Sequence, residues 1–132
     1  MPDRSIDWFR QALRDLEQAE DSKAAGRHEW ACFAAQQAAE KAVKALHLAN
    51  GQEAWGHMLA KLLSELPGEV SVPAELIDKG RVLDALYIPP RYPDSYPEGA
   101  PFEHFGSIQS EEAIQYAGEI IAFVRQKMAR PD

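Results

Sequence analysis

The apolar positions near the start of the chain recur at helical spacing. They lie three and four residues apart between Ser5 and about Ala25, which places them on one face of a helix. The main positions of this stripe are Trp8, Ala12, Leu16 and Ala19. Ser5 is a candidate N-cap and Gly26 a candidate stop. The pattern predicts a first helix from Ser5 to about Ala25.

A second helix is predicted from about His28 to Ala49. Its alanines surround most of the helix and would let neighbouring helices approach closely; they are residues 31, 34, 35, 38, 39, 42, 45 and 49. The dipeptide Asn50-Gly51 suits a helix C-terminus because both residue types tolerate positive φ. We therefore expect this helix to be the central one.

Three further helices are predicted towards the carboxyl end. One spans Met58–Leu66 and is ended by Pro67. Another begins near Pro73, which suits a first helical position, and runs towards Pro89-Pro90. The last follows Ser110 as N-cap and buries a stripe of isoleucine, alanine, valine and methionine side chains.

Residues 89–109 have no helical or strand period. Five prolines and two glycines fall in this stretch, and long irregular loops inside compact domains tend to be functional. We interpret it as a binding flap. With no strand signal elsewhere, the pattern predicts an all-α fold: an antiparallel, up-and-down bundle of four or five helices, with this proline- and aromatic-rich loop before the last helix. Residues 1–132 are expected to form a single domain.

Composition and charge exclude several classes of protein. Hydrophobic residues make up 45% and charged residues 27% of the chain, as in globular proteins. The net charge of −7 disfavours broad binding to duplex nucleic acid, which needs many basic contacts. Cys32 is the single cysteine and cannot form an internal disulfide. With no leader-like start and no apolar run of bilayer length, we expect a cytoplasmic protein that does not enter membranes.

Polar candidates for ligand binding lie on the second helix. Gln37, Lys41 and Lys44 are spaced i, i+4 and i+7, so they share one helix surface and present an amide and two cations to a phosphate-bearing ligand. The alternative is a solvated face on which Glu40 and Lys44 form a modest surface pair, with Lys41 lying over its alanine neighbours.

A second group of candidates, Arg91-Tyr92-Pro93-Asp94, lies in the loop. The planar fork of Arg91 suits bidentate recognition of phosphate. Tyr92 is a candidate for base stacking or for filling the core, and Asp94 completes the predicted polar cleft. The alternative for Arg91 is an internal salt bridge to Asp94 or Asp84.

The histidines give weaker signals. His57 follows Gly56 at a predicted helix start, where it is a candidate general base or hydrogen-bond donor, or a half-buried capping residue. His28, His47 and His104 lack the close spacing of a metal site, so we expect no metal and no cofactor. Trp8, Trp30 and Trp55 are interpreted as packing residues.

The order of these features resembles the HEPN family, a helical nucleotide-binding domain. The matching segments are Ala12–Leu16, Gln36–Leu46, Gly56–Leu59, Leu83–Asp94 and Glu112-Ala113. The resemblance implies a bundle that dimerises, often beside a separately encoded minimal nucleotidyltransferase, in pairs associated with toxin and antitoxin behaviour. Many members are metal-independent ribonucleases with an arginine, four to six intervening residues and a histidine.

That ribonuclease spacing is absent here, because the histidine that follows Arg91 is His104, with twelve residues between them. The resemblance therefore implies a module that binds a nucleotide or phosphate ligand and a protein partner, through Gln37, Lys41, Lys44, Arg91, Tyr92 and Asp94. The alternative is a ribonuclease acting on RNA through a non-standard set drawn from Arg91, His57 and His104.

Overall fold

A computed structural model describes residues 3–128, which form five α-helices and no strand. The helices are α1 (Ser5–Ala24), α2 (His28–Ala49), α3 (Leu59–Ser64), α4 (Ala74–Asp84) and α5 (Ser107–Met128). Short 3-10 turns at Pro93–Ser95 and Pro101–Glu103 interrupt the loop before α5. The predicted all-helical fold is confirmed. Within this part of the chain, no helix has the length and apolarity needed to cross a bilayer.

The three long helices pack side by side. A short turn joins α1 to α2 as an antiparallel pair, and Gly26 ends it at a φ of +78°, a conformation that glycine adopts without strain. Lys23 of α1 bonds to Glu111 of α5 at one end, while Arg125 of α5 lies over the Phe9 ring at the other. Thus α5 runs antiparallel to α1, and α3 and α4 occupy the connection between α2 and α5.

The core is centred on α2, as its alanine pattern predicts. This helix contacts α1, α3, α4 and α5, and its small side chains let those neighbours pack closely. Its fully buried apolar residues are Ala31, Cys32, Ala35, Ala38, Ala39, Ala42, Val43, Ala45 and Leu46. Burial, with the nearby Glu29 and Glu112 carboxylates adding to it, raises the pKa of the Cys32 thiol to about 12.

The two short helices pack against each other at close range. A Cβ at Gly80 of α4 would lie 3.2 Å from a Leu63 methyl and 3.3 Å from the Ala60 nitrogen of α3, so this glycine permits the contact. At the end of α4, the Asp84 carboxylate accepts hydrogen bonds from the backbone N–H groups of Leu59 and Ala60. These bonds satisfy donors that the first turn of α3 leaves unpaired.

The cap predictions for two serines are wrong. Ser5 is already helical, and the Asp3 carboxylate accepts from its N–H at 2.8 Å. Ser110 lies inside α5, fully buried, where its hydroxyl forms a hydrogen bond with His28 Nδ1 at 2.8 Å. The N–H of Gly106 instead donates to the Gln109 side chain at 2.9 Å. Gln109 is at the third position of the helix, from which a side chain can cap the residue before the helix. The helix therefore begins at Ser107, earlier in the chain than predicted.

The loop before α5 is packed on itself. The rings of Tyr96 and His104 stack 3.9 Å apart at an angle of 5°, with Phe105 edge-on to Tyr96. His104 Nε2 also donates to the Glu98 carbonyl at 2.9 Å. Gly99 has a φ of +84°, and a Cβ there would lie 2.9 Å from the His104 ring. The stretch predicted to lack structure is therefore locally ordered, and its action as a flap stays a prediction.

The tryptophans, interpreted from the sequence as packing residues, lie outside the core. Trp8 is 37% exposed, Trp30 47% and Trp55 81%. The side chains that fill the core are the leucines, isoleucines and valines of the helices, together with many alanines. Large apolar side chains are thus left at the surface around the polar groups described next.

Candidate functional site

Glu40 of α2 is the centre of an enclosed polar cluster. Its side chain is 5% exposed, yet it accepts hydrogen bonds from three groups: Gln36 Nε2 at 3.1 Å, Lys44 Nζ at 3.0 Å and His57 Nδ1 at 3.1 Å. The i, i+4 pair expected between Glu40 and Lys44 is therefore present, but it is enclosed rather than solvated. A buried carboxylate needs such partners.

The contact with Glu40 determines which tautomer His57 adopts. A carboxylate can only accept, so Nδ1 carries the proton and, in the neutral ring, Nε2 keeps a lone pair. No group in residues 3–128 bonds to that Nε2. The imidazole is half exposed and stacks on the Tyr87 ring, with centroids 4.4 Å apart and an interplanar angle of 17°. His57 is thus held on two sides while one nitrogen stays accessible.

Arg91 lies among three aromatic rings. Its guanidinium carbon is 4.4 Å from the Phe33 centroid, 4.6 Å from that of Tyr87 and 5.2 Å from that of Tyr92. Its Nε donates to the Tyr87 carbonyl at 2.7 Å. Contrary to the alternative interpretation of the sequence, no ion pair joins it to Asp84 or Asp94 in the described chain. We call Arg91 and these rings the Arg91 platform.

Tyr87 joins the platform to the Glu40 cluster. His57 and Arg91 both lie within 4.6 Å of the centre of its ring. A series of side-chain contacts therefore runs from Lys44 through Glu40, His57 and Tyr87 to Arg91. Lys44 and Arg91, the two cations favoured from the sequence, lie at its two ends.

Gln37 and Lys41 lie on a neighbouring surface. The Lys41 ammonium pairs with Asp15 of α1 at 2.5 Å, and Gln37 Nε2 donates to the Gln36 side chain at 2.8 Å. Both residues line a cavity of about 510 Å³ between α1 and α2, together with Trp30. Lys41 therefore makes an interhelical ion pair instead of lying over alanines, and the structure places it apart from Lys44.

The remaining candidates are dispersed. Asp94 is exposed on the 3-10 turn Pro93–Ser95, and Tyr92 is 50% exposed beside Arg91. His104 is held within the loop by Tyr96. His47 is buried and contacts the Leu62 carbonyl through Nε2 at 2.7 Å. Among residues 3–128 no three histidine, cysteine or carboxylate side chains converge as metal ligands would.

Asp84 fixes the two segments of chain that carry His57 and Tyr87. Its bonds to the start of α3 tie residues just after His57 to the end of α4, just before Tyr87. Burial is the main reason that the pKa of this carboxyl is raised above its usual 3.8, and the Glu40 charge acts in the same direction. Asp84 therefore holds the start of α3 against the end of α4.

Four residues of the Glu40 cluster and the Arg91 platform were missed from the sequence: Gln36, Glu40 as a centre, Tyr87 and Phe33. One signal was available for the first two. Glutamine and glutamate four residues apart, in a helix otherwise rich in alanine, stand out as polar groups that a central helix must pair. No signal marked Tyr87, because its contacts with His57 and Arg91 depend on how α3 and α4 pack.

Comparison with known proteins agrees with this architecture. The family model of the HEPN domain matches residues 5–127, nearly the whole chain. The chain belongs to the HEPN family. The fold and site geometry above are therefore those of a HEPN protein.

Solved structures of similar proteins cover the same length. TT1696 from Thermus thermophilus is 49% identical, with a TM-score of 0.94 over 96% of this chain and 99% of that one. ST0689, an archaeal HEPN homologue, is 41% identical, with a TM-score of 0.82 over 97% and 99%. A HEPN domain protein from Thermotoga maritima is 36% identical, with a TM-score of 0.76 over 95% and 99%. No protein with a curated description matches the chain.

Proposed function

We propose that this HEPN protein binds a nucleotide through its phosphate groups at the Arg91 platform, and that it acts as a binding module rather than an enzyme. The observation that carries the proposal is the state of Arg91. Its Nε is used by a backbone carbonyl and three rings surround the guanidinium. Within residues 3–128 its two terminal nitrogens have no hydrogen-bond partner, so the fork that suits phosphate remains available.

The surroundings of Arg91 support a phosphate site over an internal ion pair. Aromatic faces stabilise the cation without neutralising it, and they displace the water that would otherwise solvate it. Lys44 is a weaker candidate, because Glu40 already accepts one of its three N–H groups. The proposed binding roles of Gln37, Lys41, Tyr92 and Asp94 stay predictions.

Replacing Arg91 tests the proposal. Arg91→Ala should weaken the binding of a nucleoside triphosphate by about 1–3 kcal/mol, measured by calorimetry, because a charge-assisted contact is lost. Arg91→Lys should recover only part of the loss, since lysine lacks the fork. Arg14→Ala is the matched control: it removes the same charge from an exposed position on α1.

Two outcomes would remove Arg91 from the site. One is unchanged affinity in Arg91→Ala with an unchanged helical circular dichroism spectrum. The other is an equal loss in Arg14→Ala, which would show that only the overall charge matters.

We also propose that the protein forms a homodimer and pairs with a separately encoded minimal nucleotidyltransferase in a toxin and antitoxin system. The resemblance to the family suggested this, and exposed apolar side chains beside the platform support a protein interface: Trp30 is 47% and Ile88 50% exposed. Light scattering should give a dimer mass, and affinity purification from the native cell should recover the nucleotidyltransferase. A monomer recovered alone would contradict the proposal.

A metal-independent ribonuclease is the second candidate, favoured by the geometry of His57. Its free Nε2 is oriented by Glu40, and Arg91 contacts the same tyrosine ring. In a ribonuclease, the imidazole would remove the 2′-hydroxyl proton and the guanidinium would stabilise the phosphorane.

The ribonuclease hypothesis predicts that RNA is cleaved in the presence of a chelator and that a 2′-deoxy substrate is not cleaved. His57→Ala should abolish that cleavage, whereas His104→Ala should not. Varied RNAs left intact by the purified protein, free of any partner, would exclude this candidate.

A further inference from the structure

A cleft of about 380 Å³ lies beside the Glu40 cluster. It is formed where the start of α1 and the end of α2 meet residues 53–57. Trp8 and Trp55 line it with their indoles, and Leu48 and Ala54 add apolar surface. Its polar groups are those of Lys44, His57 and the Glu53 carboxylate. This combination of mostly apolar lining with a few polar groups is typical of small-ligand sites, and the volume is within their range.

The two indoles are unusually accessible for such large apolar side chains. Trp55 is 81% and Trp8 37% exposed, so their faces are available to a ligand. Single exposed aromatic residues need no explanation, but two that line one cleft beside a cation do. Lys44 Nζ lies 5.9 Å from the centre of the Trp8 ring and has two N–H groups beyond the one that Glu40 accepts.

We propose that this cleft is the subsite for the base of the nucleotide whose phosphates the Arg91 platform binds. The base stacks on the indoles of Trp8 and Trp55, as bases do on aromatic side chains in single-strand binding proteins. The proposal rests on the proposed function and adds to it the part of the ligand that is recognised away from the phosphates.

His57 connects the two subsites through its contact with Tyr87. It lines the cleft and also stacks on Tyr87, the ring that Arg91 contacts. Glu40 holds two of the polar groups at the cleft, Lys44 and His57. The sugar and the first phosphate therefore lie next to these two side chains, and the remaining phosphates extend towards Arg91.

The test compares ATP with inorganic tripolyphosphate, which has the phosphates but no base. Trp55→Ala and Trp8→Ala should each weaken ATP binding by about 5- to 150-fold, as expected when a stacked ring is removed. Binding of tripolyphosphate should not change. Trp55→Phe should recover part of the ATP affinity. Phe102→Ala is the matched control, since Phe102 is an aromatic residue that is 65% exposed and does not line this cleft.

The outcomes separate this inference from the proposed function. If Arg91→Ala weakens the binding of both ligands while the Trp8 and Trp55 variants bind ATP as well as Phe102→Ala does, the base subsite is overturned and the phosphate site stands. The base subsite is likewise overturned if Tyr92→Ala, rather than the tryptophan variants, removes the preference for ATP. Equal losses for ATP and tripolyphosphate in Trp55→Ala would also overturn it.

Two further results have definite meanings. The tryptophan variants could keep their affinity for ATP but no longer form the dimer or bind the partner protein. In that case the cleft is a protein contact and the inference is wrong. If the wild-type protein binds neither ligand, the proposed function fails and the subsite fails with it. Circular dichroism of each variant checks that the helices remain.

Discussion

The three long helices and the segment between α2 and α5, residues 50–106, are stabilised in different ways. In α1, α2 and α5, close packing of small apolar side chains continues along the whole bundle, from Ala12 and Ala19 through the α2 alanines to Ala113 and Ala117. Residues 50–106 also bury leucines, but individual polar contacts determine where their chemical groups lie: Asp84 at the start of α3, His47 on the Leu62 carbonyl, and Glu40 on His57.

This difference explains where the candidate site is. Packing spread over many residues makes the long helices rigid and insensitive to any one polar group. A segment whose groups are placed by a few hydrogen bonds can carry exposed rings and charges, and functional sites are commonly carried by such segments on a rigid scaffold. The difference also makes the two regions separable by mutation.

Leu46→Ala should have the largest effect on stability. Leu46 is fully buried on α2, so truncation leaves a cavity that should lower the free energy of unfolding by about 2–5 kcal/mol. Urea unfolding followed by circular dichroism measures it. Ile108→Ala is the control, because Ile108 is 79% exposed on α5 and should change stability by less than about 0.5 kcal/mol. A loss below that of the control would contradict the view that α2 is the central helix.

Asp84→Ala should have a smaller and more local effect. Leaving the N–H groups of Leu59 and Ala60 without their acceptor should cost about 1–3 kcal/mol. Hydrogen exchange should accelerate in residues 57–66 and around Tyr87, with little change in α1 and α5. Asp78→Ala is the control on the same helix, because Asp78 is exposed and pairs only with Arg81 in the described chain. Uniform acceleration over all five helices would show that the segment is not separable.

The smallest effect expected is on pH dependence. The pKa of Asp84 is raised on folding, so the folded state holds its proton more tightly than the unfolded state. Its contribution to stability is therefore complete below the usual pKa of 3.8 and is lost as the pH rises through the raised value. Asn has no such titration, so the stability of the wild type relative to Asp84→Asn should fall as the pH rises from about 3.5 to about 7.

We expect this change to be below about 1 kcal/mol, because solvent reaches part of the carboxyl group. Urea unfolding of both proteins at several pH values measures it. A relative stability of the wild type that instead increases with pH would mean that the hydrogen bonds from α3 outweigh burial in setting this pKa.

The long helices were largely predictable from the sequence because their signals are local. The bounds of α2 follow from its alanines and from Asn50-Gly51, and the structure has the same range, His28–Ala49. The predicted start of α5 was wrong because the cap of this helix depends on the Gln109 side chain, which accepts a hydrogen bond from the N–H of Gly106. In addition, the serine that resembles a cap bonds to α2.

The candidate site was only partly predictable because its contacts join distant segments. Residue type was enough to select Lys44, His57 and Arg91. It could not show that Lys41 pairs with Asp15 on another helix, or that Glu40 bonds to a histidine 17 residues away. The exposure of Trp55 could not be predicted either. Trp55 resembles a core residue in its hydrophobicity, and only the packing of α1 against residues 53–57 decides that it is exposed.

The stacked rings of Tyr96 and His104 have a consequence for binding thermodynamics. A loop that is already held by its own ring pair and by the carbonyl of Glu98 has lost much of its conformational entropy before any ligand arrives. Since ordering costs subtract from affinity, Arg91 and Tyr92 at the start of this loop are preorganised. The cost of ordering this loop would therefore subtract little from the affinity of a ligand that contacts them.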